Sequence, residues 1–237
     1  MSSLIPSRLW AMGLAIVLTA ATANAATLDV TLNNVSPSQT FGYSTNGGSS
    51  YKSTKAGVFN WTRTGGSHVG DPVGNFRSFC VELTQNISPG SSYTYDVVAV
   101  EDAPNDGFAS GMGTAKAALL SELWGRFYSP LFDADQAAAF QVSVWEIVYD
   151  GGVDLAAGSF QAQSLATGFV TLSQTWLNVL DGTGAMANLG AMTNPNRQDH
   201  IYELPTPTNE QIPAPAAATA GLMGLGLLGI GRKRRSA

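Results

Sequence analysis

Between residues 26 and 100 apolar positions recur every second residue, and between 114 and 180 they recur every third or fourth. Thr27-Leu28-Asp29-Val30-Thr31-Leu32 alternates with a period of two, the mark of a half-buried strand. Clusters of Gly, Ser and Asn at 45–50 and 64–74 break the chain into short pieces beyond it. Phe79-Cys80-Val81-Glu82-Leu83 alternates again, setting Phe79, Val81 and Leu83 on one face and Cys80 and Glu82 on the other. Residues 92–100 are rich in Val, Tyr and Thr and predict a further strand.

The period then changes. Residues 114–127 place Ala and Leu at helical spacing, ahead of Ser129-Pro130. Asp133-Ala134-Asp135 offers a cap for a second helix reaching about Tyr149, where Asp150-Gly151-Gly152 stops it. A third helical stretch covers 164–180, and residues 200–204 read as a closing strand. Strands, then helices, then a last strand predict an α+β domain over 26–204: a β-sandwich or barrel with a helical insertion.

The two ends read as addresses. Residues 1–25 carry Arg8, an apolar run over 9–19 and an Ala23-Asn24-Ala25 cleavage site, the pattern of a secretory signal. The alternative is a buried N-terminal helix. On the first reading the mature chain begins near Ala26, outside the cytoplasm. At the other end a Pro-rich linker, 205–215, finishes in Ile212-Pro213-Ala214-Pro215. A Gly/Ala/Leu stretch comes next over 216–231, just long enough to enter a bilayer, and Arg232-Lys233-Arg234-Arg235 would stay on its cytoplasmic side. This order resembles the PEP-CTERM sorting signal of Gram-negative bacteria, with Ala214 between Pro213 and Pro215 where that signal carries Glu. The resemblance implies recognition by an exosortase-like enzyme, transient anchoring in the inner membrane, and delivery to the cell surface or extracellular matrix. A simple C-terminal membrane anchor is the alternative.

Charge and cysteine count narrow the chemistry. The chain carries a formal −5, but residues 26–231 hold seven Lys and Arg against 17 Asp and Glu, a charge of −10. Such a body repels polyphosphate and excludes nucleic acid as a partner. The single cysteine, Cys80, excludes an intramolecular disulfide. With only two histidines beside it, the usual zinc clusters are excluded too, and no metal or cofactor is expected.

Cys80 alone reads as a small buried hydrophobe. What gives it interest is the helical segment around Gln141. Phe140, Val144 and Val148 form one apolar stripe there, and Ala138 and Trp145 another, so the Gln141 carboxamide must find partners or cost a few kcal/mol. Ala137 and Ala138 leave room for a strand presenting Cys80 to approach. Phe79-Cys80-Val81 with its following acid, and Phe140-Gln141-Val142-Ser143-Val144-Trp145, resemble the two motifs of bacterial surface thioester domains. The resemblance implies that the Cys80 sulfur and the Gln141 carbonyl condense with loss of ammonia. Phe79, Phe140 and Trp145 would shield the bond from water. A lysine or polyamine would then attack Gln141, free the Cys80 thiol and leave an isopeptide bond to an amine-bearing surface protein. This is a single-use reaction, so the chain is not expected to be an enzyme.

Other groups compete for a role. Glu82 shares a face with Cys80 and would serve as a proton shuttle, or as an ordinary solvated carboxylate. His68 or His200 would make a papain-like dyad with Cys80, although spacing does not favour either. Glu146 and Asp150, with Asp133 and Asp135, offer glycosidase carboxylates or Ca²⁺ ligands, but read more simply as caps and solvated faces. Trp61, Trp124 and Trp176 would stack sugars or fill the core. The competing function is a non-covalent structural or carbohydrate-binding protein of the extracellular matrix, its partner an extracellular polysaccharide. A secreted cysteine hydrolase is the third.

Overall fold

The computed structural model describes residues 26–68, 74–104, 111–163 and 168–205. Its first strand, β1 (Ala26–Ser44), runs for 19 residues, far beyond the alternating 27–32 segment. The extension passes Pro37, which has no N–H to give a ladder, and the register against the next strand slips between Val35 and Ser38. That next strand, β2 (Lys52–Gly65), pairs antiparallel with β1 along most of its length. Then come β3 (Asn75–Cys80) and β4 (Ser92–Val98), which ends in a 3-10 turn at Val100–Asp102. After the helices lie β5 (Gln161–Ala162), β6 (Leu189–Asn194) and β7 (Arg197–Glu203). Because β1 pairs with both β2 and β4, six of these strands close into an antiparallel barrel ordered β1-β2-β3-β7-β6-β4, and β5 extends the far end of β1.

The described helices are α1 (Thr114–Phe127), α2 (Ala134–Asp150) and α3 (Gly168–Leu177). α2 begins at a full capping box: the Asp133 carboxylate accepts from the Gln136 N–H, and the Gln136 side chain accepts from the Asp133 N–H. It stops at Gly151, whose φ of 63° is the left-handed cap that glycine adopts without penalty. Between those ends every residue from Ala137 to Val148 is buried, since α2 lies on β1 and β2 and is covered by α1 and α3. The fold is therefore α+β, a barrel with a helical insertion, and not a sandwich.

Several expectations need correction. The strand expected over 79–83 ends at Cys80, because Val81 onward leaves the sheet. The closing strand begins at Arg197 and belongs to a hairpin whose first arm, β6, has no counterpart among the expected elements. Leu189-Gly190-Ala191-Met192 has no β-branched residue, so nothing in its composition announces a strand. The third helix ends at Leu177, short of residue 180, and 164–167 lie outside the described residues. So do the signal segment 1–25, the linker from 206 onward with Pro213 and Pro215, and the tail 216–237. No helix among the described residues is long and apolar enough to cross a membrane.

Candidate functional site

The β2–β3 ladder has its last pair at Phe59 and Ser78, so β2 offers no partner to the main chain of Cys80 two residues on. Gln141, at the middle of α2, takes that place. The Cys80 N–H donates to Gln141 Oε1 at 2.9 Å, and Gln141 Nε2 donates to the Cys80 carbonyl at 2.7 Å. A carboxamide carries the same donor and acceptor as a peptide, which is why one side chain can substitute for a strand. Two residues 61 positions apart are thereby locked together, each with an exposure of 0%.

The thiol sits at the strand's end. Its S–H donates to the Glu82 carbonyl at 2.6 Å, and the Glu82 N–H donates back to Sγ at 3.3 Å. Burial pushes the thiol pKa well above its ordinary value. The bond to the Glu82 main chain and the Trp145 indole oppose that shift, while the carboxylates of Glu82 and Asp199 add to it. The Trp145 N–H is buried and has no full-geometry hydrogen bond among the described residues, yet it lies close enough to the sulfur to favour its charged form.

The three aromatic residues expected to shield the bond fall into two clusters. Phe79 and Phe140 pack on each other with centroids 4.4 Å apart, joined by Trp124 and Tyr128. Trp145, one helical turn past Gln141, stacks instead on Phe41 and Tyr43 at 6.2 and 6.4 Å.

Glu82 is not on the Cys80 face of a strand; it lies beyond the strand's end, and its carboxylate accepts from the Thr84 hydroxyl. His200, which spacing does not favour, is the register partner of Cys80 across β3 and β7. Its Nδ1 meets Ser78 Oγ at 3.1 Å, Trp61 Nε1 donates to the same hydroxyl at 2.7 Å, and burial lowers the imidazole pKa to about 3. A pairing of positions 80 and 200 is invisible without the strand order. His68 stays on the β1 side, its N–H on the Thr27 carbonyl.

The carboxylates at and on α2 each accept hydrogen bonds from nearby groups. Asp133 is the helix cap and Asp135 accepts from Gln39 Nε2 at 2.7 Å. Asp150 receives the N–H groups of Ser159 and Phe160. Glu146 is not on a solvated face: it is 1% exposed, its Oε1 accepts from the Asp154 N–H, and burial, with repulsion from Asp150, raises its pKa to about 7. Among the described residues no three His, Cys, Asp or Glu gather as a metal site would require. Trp61 and Trp124 are core, the latter donating to Glu203 Oε2, and Trp176 is half-buried on Phe127.

Two adjoining open clefts of about 420 and 500 Å³ lie elsewhere, sharing Asn75, Phe76 and Arg77 at the start of β3. The first adds Tyr128 and Glu203, the second Asn33 and Asn60. The chain matches no protein-family model, no curated protein and no solved structure.

Proposed function

We propose that Cys80 and Gln141 form an internal thioester that acylates amines and attaches this protein covalently to an amine-bearing surface protein or polyamine. The observation that carries the reading is the pair of hydrogen bonds between the Gln141 carboxamide and the Cys80 main chain. They hold the amide against the main chain of the residue that bears the only thiol in the chain, and the Cys80 N–H points at the oxygen on which charge builds during attack.

The atoms balance within the site. Sγ bonds to the Gln141 side-chain carbon, the thiol proton passes to Nε2, the C–N bond breaks and ammonia leaves. An amine reverses the logic: its nitrogen bonds to the same carbon, the C–S bond breaks, and a proton from the amine restores the thiol. The aromatic clusters around Phe140 and Trp145 support the reading by keeping water from a hydrolysable bond. Export through 1–25 and sorting by an exosortase-like enzyme through 205–237 would bring the site to the cell surface.

Intact mass of the purified protein, with and without methylamine, tests this. A mass short by one ammonia, converted by methylamine into an adduct on Gln141 with Cys80 newly titratable, is the expected result. A full mass in folded protein overturns it.

The second reading, non-covalent binding of an extracellular polysaccharide, draws on the twin clefts, where amide, guanidinium and aromatic groups meet in the way sugar hydroxyls and ring faces require. There, Arg77→Ala would abolish binding and Cys80→Ala would leave it unchanged.

A further inference from the structure

The proposed acylation faces an obstacle of access. Cys80 and Gln141 are fully buried and Trp145 nearly so, so an amine cannot reach the carbonyl carbon until something moves. The segment that leaves the sheet at Val81 and runs without regular structure to Ser91 is the one in contact with the sulfur. Its tethers include the Val81 N–H on the Asp199 carbonyl and the Leu83 N–H on Tyr149 Oη at 3.0 Å. Two contacts of 3.4 Å, from Gln198 to the Glu82 carbonyl and from Gln85 to the Pro195 carbonyl, are weaker, and the thiol on the Glu82 carbonyl is a further one. From Leu83 on, its residues are half-buried or exposed.

We propose that the 81–91 strap is a gate set by the chemical state of Cys80, latched by the thiol and released by the thioester. The S–H proton is what makes the sulfur a donor to the Glu82 carbonyl. Ring closure sends that proton away with ammonia. The sulfur then has no proton to give, and the Glu82 carbonyl loses that donor while the long contact from Gln198 remains. The strap loses this tether and is freed beside the carbon an amine has to reach. Aminolysis returns the proton to Sγ, restores the bond to Glu82 and closes the strap over the spent site. The unreacted site is thus the accessible one, and the product state seals itself.

This inference rests on the thioester reading for its chemistry, but the latch is testable without it. Hydrogen–deuterium exchange of the strap amides would be followed in four preparations of the purified protein: untreated, methylamine-treated, Cys80→Ser and Cys80→Ala. Serine keeps a donor for the Glu82 carbonyl and alanine has none. Strap amides in Cys80→Ala are expected to exchange about fivefold faster than in Cys80→Ser, the effect of one net hydrogen bond on local opening. Amides of α2 serve as the reference for global stability. Untreated protein should resemble Cys80→Ala and methylamine-treated protein Cys80→Ser. Equal strap exchange in the two variants, or a difference matched throughout α2, overturns the latch. A full mass in the untreated protein overturns the thioester instead, and then the untreated protein is expected to exchange like Cys80→Ser.

Discussion

Gln141 grips the main chain of Cys80 and not its side chain: Oε1 accepts from the N–H and Nε2 donates to the carbonyl. The bracket is therefore indifferent to what residue 80 carries. Gln141→Ala in a Cys80→Ala background, where no thioester can form, should still cost about 3 kcal/mol, because it leaves a buried N–H and carbonyl unpaired and opens a cavity. Urea denaturation of the single and double variants measures it. A cost below about 1 kcal/mol would mean that β3 finds another partner at its end.

Glu146 and His200 give opposing pH dependences. Folding lowers the His200 pKa from 6.5 to about 3, so the stability this group contributes is present above 6.5 and lost as pH falls toward 3. Folding raises the Glu146 pKa from 4.5 to about 7, so stability is lost as pH rises through that window. Between 4.5 and 6.5 the two slopes offset each other. Glu146→Gln removes one slope while keeping an acceptor for the Asp154 N–H. Its stability relative to the parent should grow with pH, by on the order of 2 kcal/mol at neutrality. Denaturant titrations at several pH values check it, and a pH-independent difference would refute it.

Glu122 is the buried post of the loop after α3. Its carboxylate receives the N–H groups of Asp181, Gly182 and Gly184 as well as Arg126 Nη1 at 2.7 Å. Burial raises its pKa, but the Arg126 and backbone bonds outweigh that and hold it below the usual value. Glu122→Ala should cost about 3 kcal/mol and Glu122→Gln clearly less, since the amide oxygen still accepts. Thermal unfolding of the pair decides it. An equal loss in both would assign the role to charge and not to accepting capacity.

The order of strands and helices is readable because periodicity reports which faces are buried, and the Asp133 cap and Gly151 stop carry local signals that depend on no distant partner. Gln141 announces itself as a polar group in an apolar helix that has to be satisfied. Its partner is legible only as far as one cysteine narrows the choice. Features that depend on closure of the barrel are not legible: β6, whose small residues are strand only because β4 and β7 flank them, and His200 as neighbour of Cys80. Glu146 reads as solvated for a related reason. Its place on α2 is covered by a loop returning through Asp154, which helical periodicity does not see.

A sheet that closes on itself keeps no row of unpaired N–H and carbonyl groups for another chain to join. In this protein β1 is bonded on both sides along its N-terminal half, and the short β5 occupies part of its far end. The closed part of the barrel therefore gives other copies no edge for strand addition, the route by which many β proteins polymerise into fibres, and the edges that remain lie on the outer β1–β2 arm, at Lys52–Val58 of β2 and ahead of Tyr43 on β1. Main-chain pairing between copies is confined to that arm, and over the rest of the described sheet a contact has to be made by side chains or by new covalent bonds.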